Sequence, residues 1–406
     1  MSHNLISNTA SSDAAPVRDR AEPQKAPPVH GDGSAGAPSK RVRRPRLAAL
    51  DGFRFAAAMM MVLYHYAGYA GGVSGGAWAG RRTTDLFGGF SDVAAYGWTG
   101  VELFFLISGF VICMSTWGRG LGDFFRSRVV RLYPAYWVAV LATAAVLTLW
   151  PQVRQGPSYS DMLMNLTMLH EPMGVKSVDG VYWTLWAELR FYLLFGLLVV
   201  WRGVTYRRTV LFCVLWLAAV AVSTQMGGGM LSVAVQPRYA AFFIGGVAFY
   251  LIHRFGPDPL LWGIVGMSWL FAQHAIAVEA PRQVDGNHPH LSVSVCIALV
   301  TFFYLIMAIL ALGLLDRVTW NGLTVMGALT YPLYLIHEDI GWTLIYDGSG
   351  HMNAWALLAA VTAGAIAAAY ILNRCVERPL VPVLSQGLST GLSRIRNPVE
   401  RVRGGS

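Results

Sequence analysis

The stretch LDGFRFAAAMMMVLYHYAGY, residues 50–69, is the first apolar segment of the chain, and the fold turns on how it is read. Its run of Ala, Met, Val and Leu suits a transmembrane helix, which needs about 20 mostly apolar residues. Arg54 and His65 interrupt that run. A charged or titratable side chain facing hydrocarbon is costly. At ~100° per residue, the eleven steps between them come to about 20° past three full turns, so both side chains share one helix face. They lie roughly 16 Å apart along the axis at 1.5 Å per residue. A face that is polar at both levels should look into a protein-lined channel and not into lipid. Taken singly, each residue also has a structural reading: Arg54 snorkelling to the interface, and His65 hydrogen-bonding inside a bundle.

The rest of the chain extends the membrane reading. It has 406 residues, of which 55% are hydrophobic and only 13% charged. That balance is too apolar for a soluble domain of this size. Spans of 17–25 apolar residues recur, and we count about ten: 47–70, 93–115, 134–150, 182–201, 210–225, 238–253, 260–278, 292–314, 323–346 and 352–373. The expected fold is therefore an all-α polytopic membrane protein. No internal repeat stands out, and no long period-two alternation suggests a barrel. The 14 Trp and 17 Tyr fit interfacial aromatic belts. The four cysteines form no CxxC pair, so neither a zinc site nor a disulfide framework is supported.

The net charge of +9 sits in the tails and short loops, which marks topology and not nucleic-acid binding. Lys40, Arg41, Arg43, Arg44 and Arg46 place the N-terminal tail in the cytoplasm, and alternate loops are basic. An even number of spans puts both termini there. The expected domains are a disordered basic tail over 1–45, a membrane domain over 46–380 and a cytoplasmic tail over 381–406. The plasma membrane is the expected location. Richness in Ala, Gly and Arg suggests a high-GC bacterial source.

At this point the sequence resembles the membrane-bound acyltransferase 3 family. The arginine, ten residues and histidine of LDGFRFAAAMMMVLYH look like the family's opening motif. GVELFFLISGFVI (100–112), FFRSRVVRLYPAYW (124–137), YWTLWAELRFYLLF (182–195), YPLYLIH (331–337) and ERP (377–379) are similar to its later motifs, in order and with the right spacing. The resemblance covers about residues 46–380. It implies transfer of an acyl group, by default acetyl, from an acyl-coenzyme A co-substrate to a hydroxyl on a carbohydrate, glycolipid or macrolide-type acceptor. It implies no permanently bound cofactor and no metal. The chain ends soon after the last span, so the expectation is a stand-alone form without the fused esterase-like domain that some members carry.

The residues can be read in those terms. The phosphates of coenzyme A need cations. Arg126, Arg128 and Arg131 offer three within six residues, with Arg54 deeper in the membrane, and guanidinium suits bidentate phosphate contact. The competing reading of the arginine cluster is topology alone. A hydroxyl is a poor nucleophile, and a neutral histidine can take its proton, which makes His65 the candidate general base. A carboxylate beside the ring would fix its tautomer and stabilise the imidazolium. Glu188, at about the same depth by counting, is the leading partner for His65. Tyr331, Tyr334 and His337 form a polar stripe that could line the acceptor site or add a second base, or could serve core hydrogen bonding. Ser108 and Gly109 fit close helix packing as well as any site. The alternative to an enzyme is a transporter or flippase using Arg54, His65 and Glu188 as a polar pathway.

Overall fold

The structure is a computed structural model that describes residues 47–388 apart from 72–75, 228, 285–286 and 289. The expected disordered tail over 1–45 and the C-terminal tail beyond 388 lie outside the described residues. Among the described residues fifteen α-helices follow one another: α1 Ala48–Leu63, α2 Thr83–Phe87, α3 Gly89–Ala94, α4 Gly100–Thr116, α5 Leu121–Leu149, α6 Tyr159–Asn165, α7 Trp183–Phe195 and α8 Tyr206–Gln225. Then come α9 Met230–Val235, α10 Ala240–Phe255, α11 Pro259–Glu279, α12 Val293–Ala311, α13 Asn321–Ile336, α14 Glu338–Gly348 and α15 Ala354–Leu372. There is no strand among the described residues.

The chain is an all-α polytopic membrane protein. Among the described residues eight helices, centred on α4, α5, α7, α8, α10, α11, α12 and α15, are long and apolar enough to cross a membrane. The other two expected spans correspond to α1 and α13. Each is only 16 residues long. The first carries Asp51 and Arg54, and the second stops at a bend before His337. The last helical run continues through Leu388, past the expected start of the C-terminal tail at 381. Polar caps mark where the chain re-enters helix. The side chains of Thr205, Asp258, Ser292 and Asn353 accept hydrogen bonds from first-turn amides of α8, α11, α12 and α15.

Glycines set the spacing of the inner helices. A Cβ on Gly109 of α4 would strike the Phe243 carbonyl, 2.9 Å from its carbon. One on Gly246 of α10 would strike Leu106 O and come 2.8 Å from Phe110 N. The two backbones are therefore in direct contact, as small residues permit between membrane helices. Residues 240–252 of α10 are all buried. On the other side of α4, Gly100 approaches the Ala57 carbonyl of α1. Gly327 of α13 in turn packs onto Asp51 of α1. Helix α1 thus lies between α4 and α13, and its polar face is enclosed by protein.

Two irregularities shape this region. Helix α1 widens into a π turn at Tyr64–Gly68, closed by Tyr69 N donating to Tyr64 O at 2.7 Å. Single π turns of this kind occur often at functional sites. Helix α13 contains Pro332 and bends at His337 before α14 begins. The Tyr66 hydroxyl donates to the His337 carbonyl at 2.7 Å, a second donor beside Gly341 N at 3.1 Å, and so ties the π turn to the bend.

Candidate active site

Two cavities adjoin inside the bundle. The narrower, about 100 Å³, is lined by Arg54 of α1, Ser108 of α4, Arg128 and Arg131 of α5, Glu188 and Tyr192 of α7, and Tyr331 of α13. The wider, about 650 Å³, is lined by His65 and Tyr64 of the π turn, Glu102 of α4, Gly180, Arg238, Glu279 and Glu338. Val101 and Tyr334 line both, so the two spaces meet at these side chains. Tyr334 is held there by its hydroxyl against Thr184 Oγ1 at 2.8 Å and by an edge-on contact with Phe104 at 5.5 Å. Arg54 and His65 therefore look into neighbouring parts of one protein-lined interior.

Three arginines meet at the narrow cavity. Arg54 and Arg128 are half-buried, and Arg131 is exposed. Arg126 is absent from this lining. Its Nη2 lies 2.9 Å from Asp123 Oδ1 within the first turns of α5. The reason is helical phase: two residues turn a side chain by about 200°, so Arg126 and Arg128 cannot share a face, whereas Arg128 and Arg131 can.

Glu188 belongs with the arginines and not with His65. It accepts a short hydrogen bond from Ser108 Oγ. Helix α7 is preceded by a 3-10 turn at Gly180–Tyr182, which puts Glu188 more than a turn inside the helix. His65, in the π turn that ends α1, lines the other cavity. The carboxylate beside His65 is Glu338, with Oε1 3.3 Å from His65 Nδ1 and both side chains buried. The signal for Glu338 was present in the sequence, as the acid directly after the Tyr331–Tyr334–His337 stripe.

That stripe divides. Tyr331 faces the narrow cavity, with its hydroxyl donating to Leu132 O at 3.0 Å, and Tyr334 stands at the junction. His337 lines neither cavity. It is fully buried behind His65, with ring centroids 5.1 Å apart and Nδ1 2.9 Å from Tyr334 O.

Glu338 is held by its surroundings. A Cβ on Gly180 would fall 2.6 Å from its Oε1, so a larger residue there would push the carboxylate out of its place. The next residue, Asp339, is 0% exposed and takes Arg154 Nη1 at 2.5 Å on Oδ2, with Gly180 N at 3.3 Å. Asp179, in the loop before α7, accepts from Asp339 N at 3.4 Å and Val181 N at 3.2 Å. Burial, with Asp339 and Glu338 close by, pushes the Asp179 carboxyl well above the usual carboxylate range. Trp342 Nε1 donates to the His65 carbonyl at 2.7 Å, and its ring lies 5.9 Å from the imidazole. The arrangement can present one ring nitrogen of a fixed imidazole to a guest in a roomy cavity, while cations gather in the space next to it.

A family model for an acyltransferase domain matches residues 47–374. The chain is 26% identical over 326 residues to Nodulation protein 10 of Rhizobium leguminosarum bv. viciae, covering 72% of this chain and 85% of the relative. It is 26% identical over 337 residues to Acyltransferase MdmB of Streptomyces mycarofaciens, covering 72% of this chain and 83% of that protein. No solved structure matches the chain significantly.

Proposed function

The chain belongs to the acyltransferase 3 family, and from that premise we propose that it moves an acyl group from an acyl-coenzyme A to a hydroxyl of a carbohydrate or glycosylated small molecule, with His65 as general base. Membership in an acyltransferase family displaces the transporter reading. One observation carries the proposal. His65, backed by Glu338, lines a cavity that adjoins the one where Arg54, Arg128 and Arg131 meet.

The donor enters from the arginine side. A space of about 100 Å³ is too small for a nucleotide, so the phosphates stay at its mouth, where Arg131 is exposed. Guanidinium groups hold phosphate oxygens through paired, charge-assisted hydrogen bonds. The slender pantetheine arm passes Val101 and Tyr334 and delivers the thioester to the His65 side. Glu188, bonded to Ser108, orients the guanidiniums around it without cancelling their combined charge.

The acceptor occupies the wider cavity. His65 Nδ1 faces Glu338, which leaves Nε2 for the acceptor. Nε2 takes the hydroxyl proton as the oxygen attacks the thioester carbonyl. The C–O bond forms, the C–S bond breaks, and the departing coenzyme A thiolate recovers the proton from the imidazolium. Glu338 fixes the tautomer and stabilises the imidazolium in between, as a carboxylate does in other base–histidine pairs. The bacterial relatives and the multi-pass fold support a bacterial plasma-membrane setting.

The test incubates membranes carrying the protein with labelled acyl-coenzyme A and a panel of glycosides, and identifies products by mass. Ester-linked acyl glycoside is expected from the wild type and not from His65→Ala. A variant that inserts normally and still turns over near the wild-type rate would remove His65 as the base.

A further inference from the structure

The wider cavity holds more carboxylate than acyl transfer to a hydroxyl uses. Glu102, Glu171, Glu279 and Glu338 line it, against the guanidiniums of Arg238 and Arg282. Both arginines are engaged by one acid. Glu279 Oε1 lies 2.6 Å from Arg238 Nη2, and its Oε2 lies 3.5 Å from Arg282 Nη1. Gln283 Nε2 adds a donor to Oε1 at 2.7 Å. Glu338 faces His65. Glu102, in the first turn of α4, makes no ion pair among the described residues, although Arg238 is near enough to be felt. It is 4% exposed, and its Oε2 has no hydrogen-bond partner among the described residues. A buried carboxylate oxygen without a donor is costly, and native structures rarely keep one without a reason.

Building on the acyl-transfer reading, we propose that the acceptor is an amine-bearing glycoside whose protonated amine binds Glu102 while a nearby hydroxyl meets His65. The cation would complete the hydrogen bonding of Glu102 and offset the negative excess of the cavity wall. Aromatic rings of Trp183 and Tyr239, which already lie under the Arg238 guanidinium at 5.6 and 5.0 Å, give the same wall an affinity for cations and sugar faces. A protonated amine has no lone pair to attack the thioester, so the ester and not the amide forms. A uronic acid brings a like charge into the same wall and is disfavoured.

The experiment gives membranes containing the full chain acetyl-coenzyme A and equimolar methyl glucosaminide, methyl N-acetylglucosaminide, methyl glucoside and methyl glucuronide, with products resolved by mass. The free-amine glycoside is expected to be O-acylated about tenfold faster than its N-acetylated counterpart, on the order of one charge-assisted contact. Glu102→Gln should reduce that ratio to near one. Equal or faster acylation of the N-acetylated or glucuronide form by the wild type overturns the proposal, as does an unchanged ratio in Glu102→Gln. The wild-type comparison of charged and acetylated acceptors holds even where the variant fails to fold. Acylation of the neutral glycosides without amine preference sinks the role of Glu102 alone. Absence of acylation on every glycoside sinks the acyl-transfer reading and this inference with it.

Discussion

The arginine cavity and the His65 cavity draw on the same helices, but they are built by different rules. The first collects charge. Arg128 and Arg131 lie one turn apart on α5, and Arg54 joins them from α1. The second fixes geometry. His65 projects from a π turn, and Glu338 reaches it from the start of α14, beyond the bend at His337. Gly180 packs against that carboxylate, and Arg154 and Asp179 bind the adjoining Asp339. The difference matches the tasks proposed for them. Holding a flexible polyanion needs positive charge at tolerant distances. Moving a proton needs a ring and an acid held within a fraction of an ångström.

Substitutions should therefore separate the two halves by kinetic constant. The largest effect is expected from His65→Ala, which should cut kcat by about 10²–10⁴-fold, the usual contribution of a general base. Its KM for acyl-coenzyme A should stay near the wild-type value. A raised donor KM with kcat preserved would place His65 with the donor and erase the contrast. Glu338→Gln comes next, with a kcat loss of roughly 10²-fold, because the amide leaves the imidazole tautomer unfixed. A Glu188→Gln variant losing kcat while Glu338→Gln does not would reverse the assignment of the partner. Arg128→Ala should raise the donor KM by about tenfold or more, the scale of one hydrogen bond to a charged group, while kcat at saturating donor falls little. Arg126→Ala should be the mildest, within about 0.5 kcal/mol in stability and without change in donor KM, since its partner Asp123 is an exposed surface acid. A donor KM that follows Arg126 as strongly as Arg128 would mean that the whole turn, and not one face of α5, meets the phosphates.

What could be read in advance follows the range of each interaction. The helical membrane fold was legible because hydropathy is a local signal. The pairing of Arg54 with His65 along one face needed only the pitch of a helix. The arginine turn is half legible: spacing puts Arg128 and Arg131 together, whereas Arg126, adjacent in sequence, is turned by helical phase towards Asp123. The partnership of Glu338 with His65 is not legible because the two lie some two thirds of the chain apart in sequence and meet across a bend at His337 that no local pattern fixes. Glu188 was misplaced for a related reason. Which neighbour a side chain meets is set by how the helices pack, and residue counting along a single span does not reach that. Glu102 passed unnoticed inside an otherwise apolar motif, where a single acid in a membrane helix was itself the available clue.

The glycine contact between α4 and α10 bears on how substrates come and go. Backbones that touch through Gly109 and Gly246 cannot slide past one another without losing that close packing. Helix α4 lines both cavities, so it serves as the fixed jaw of the enzyme. Passage between the two cavities then falls to Tyr334 of α13, which the Thr184 hydroxyl and the edge of Phe104 hold at the junction.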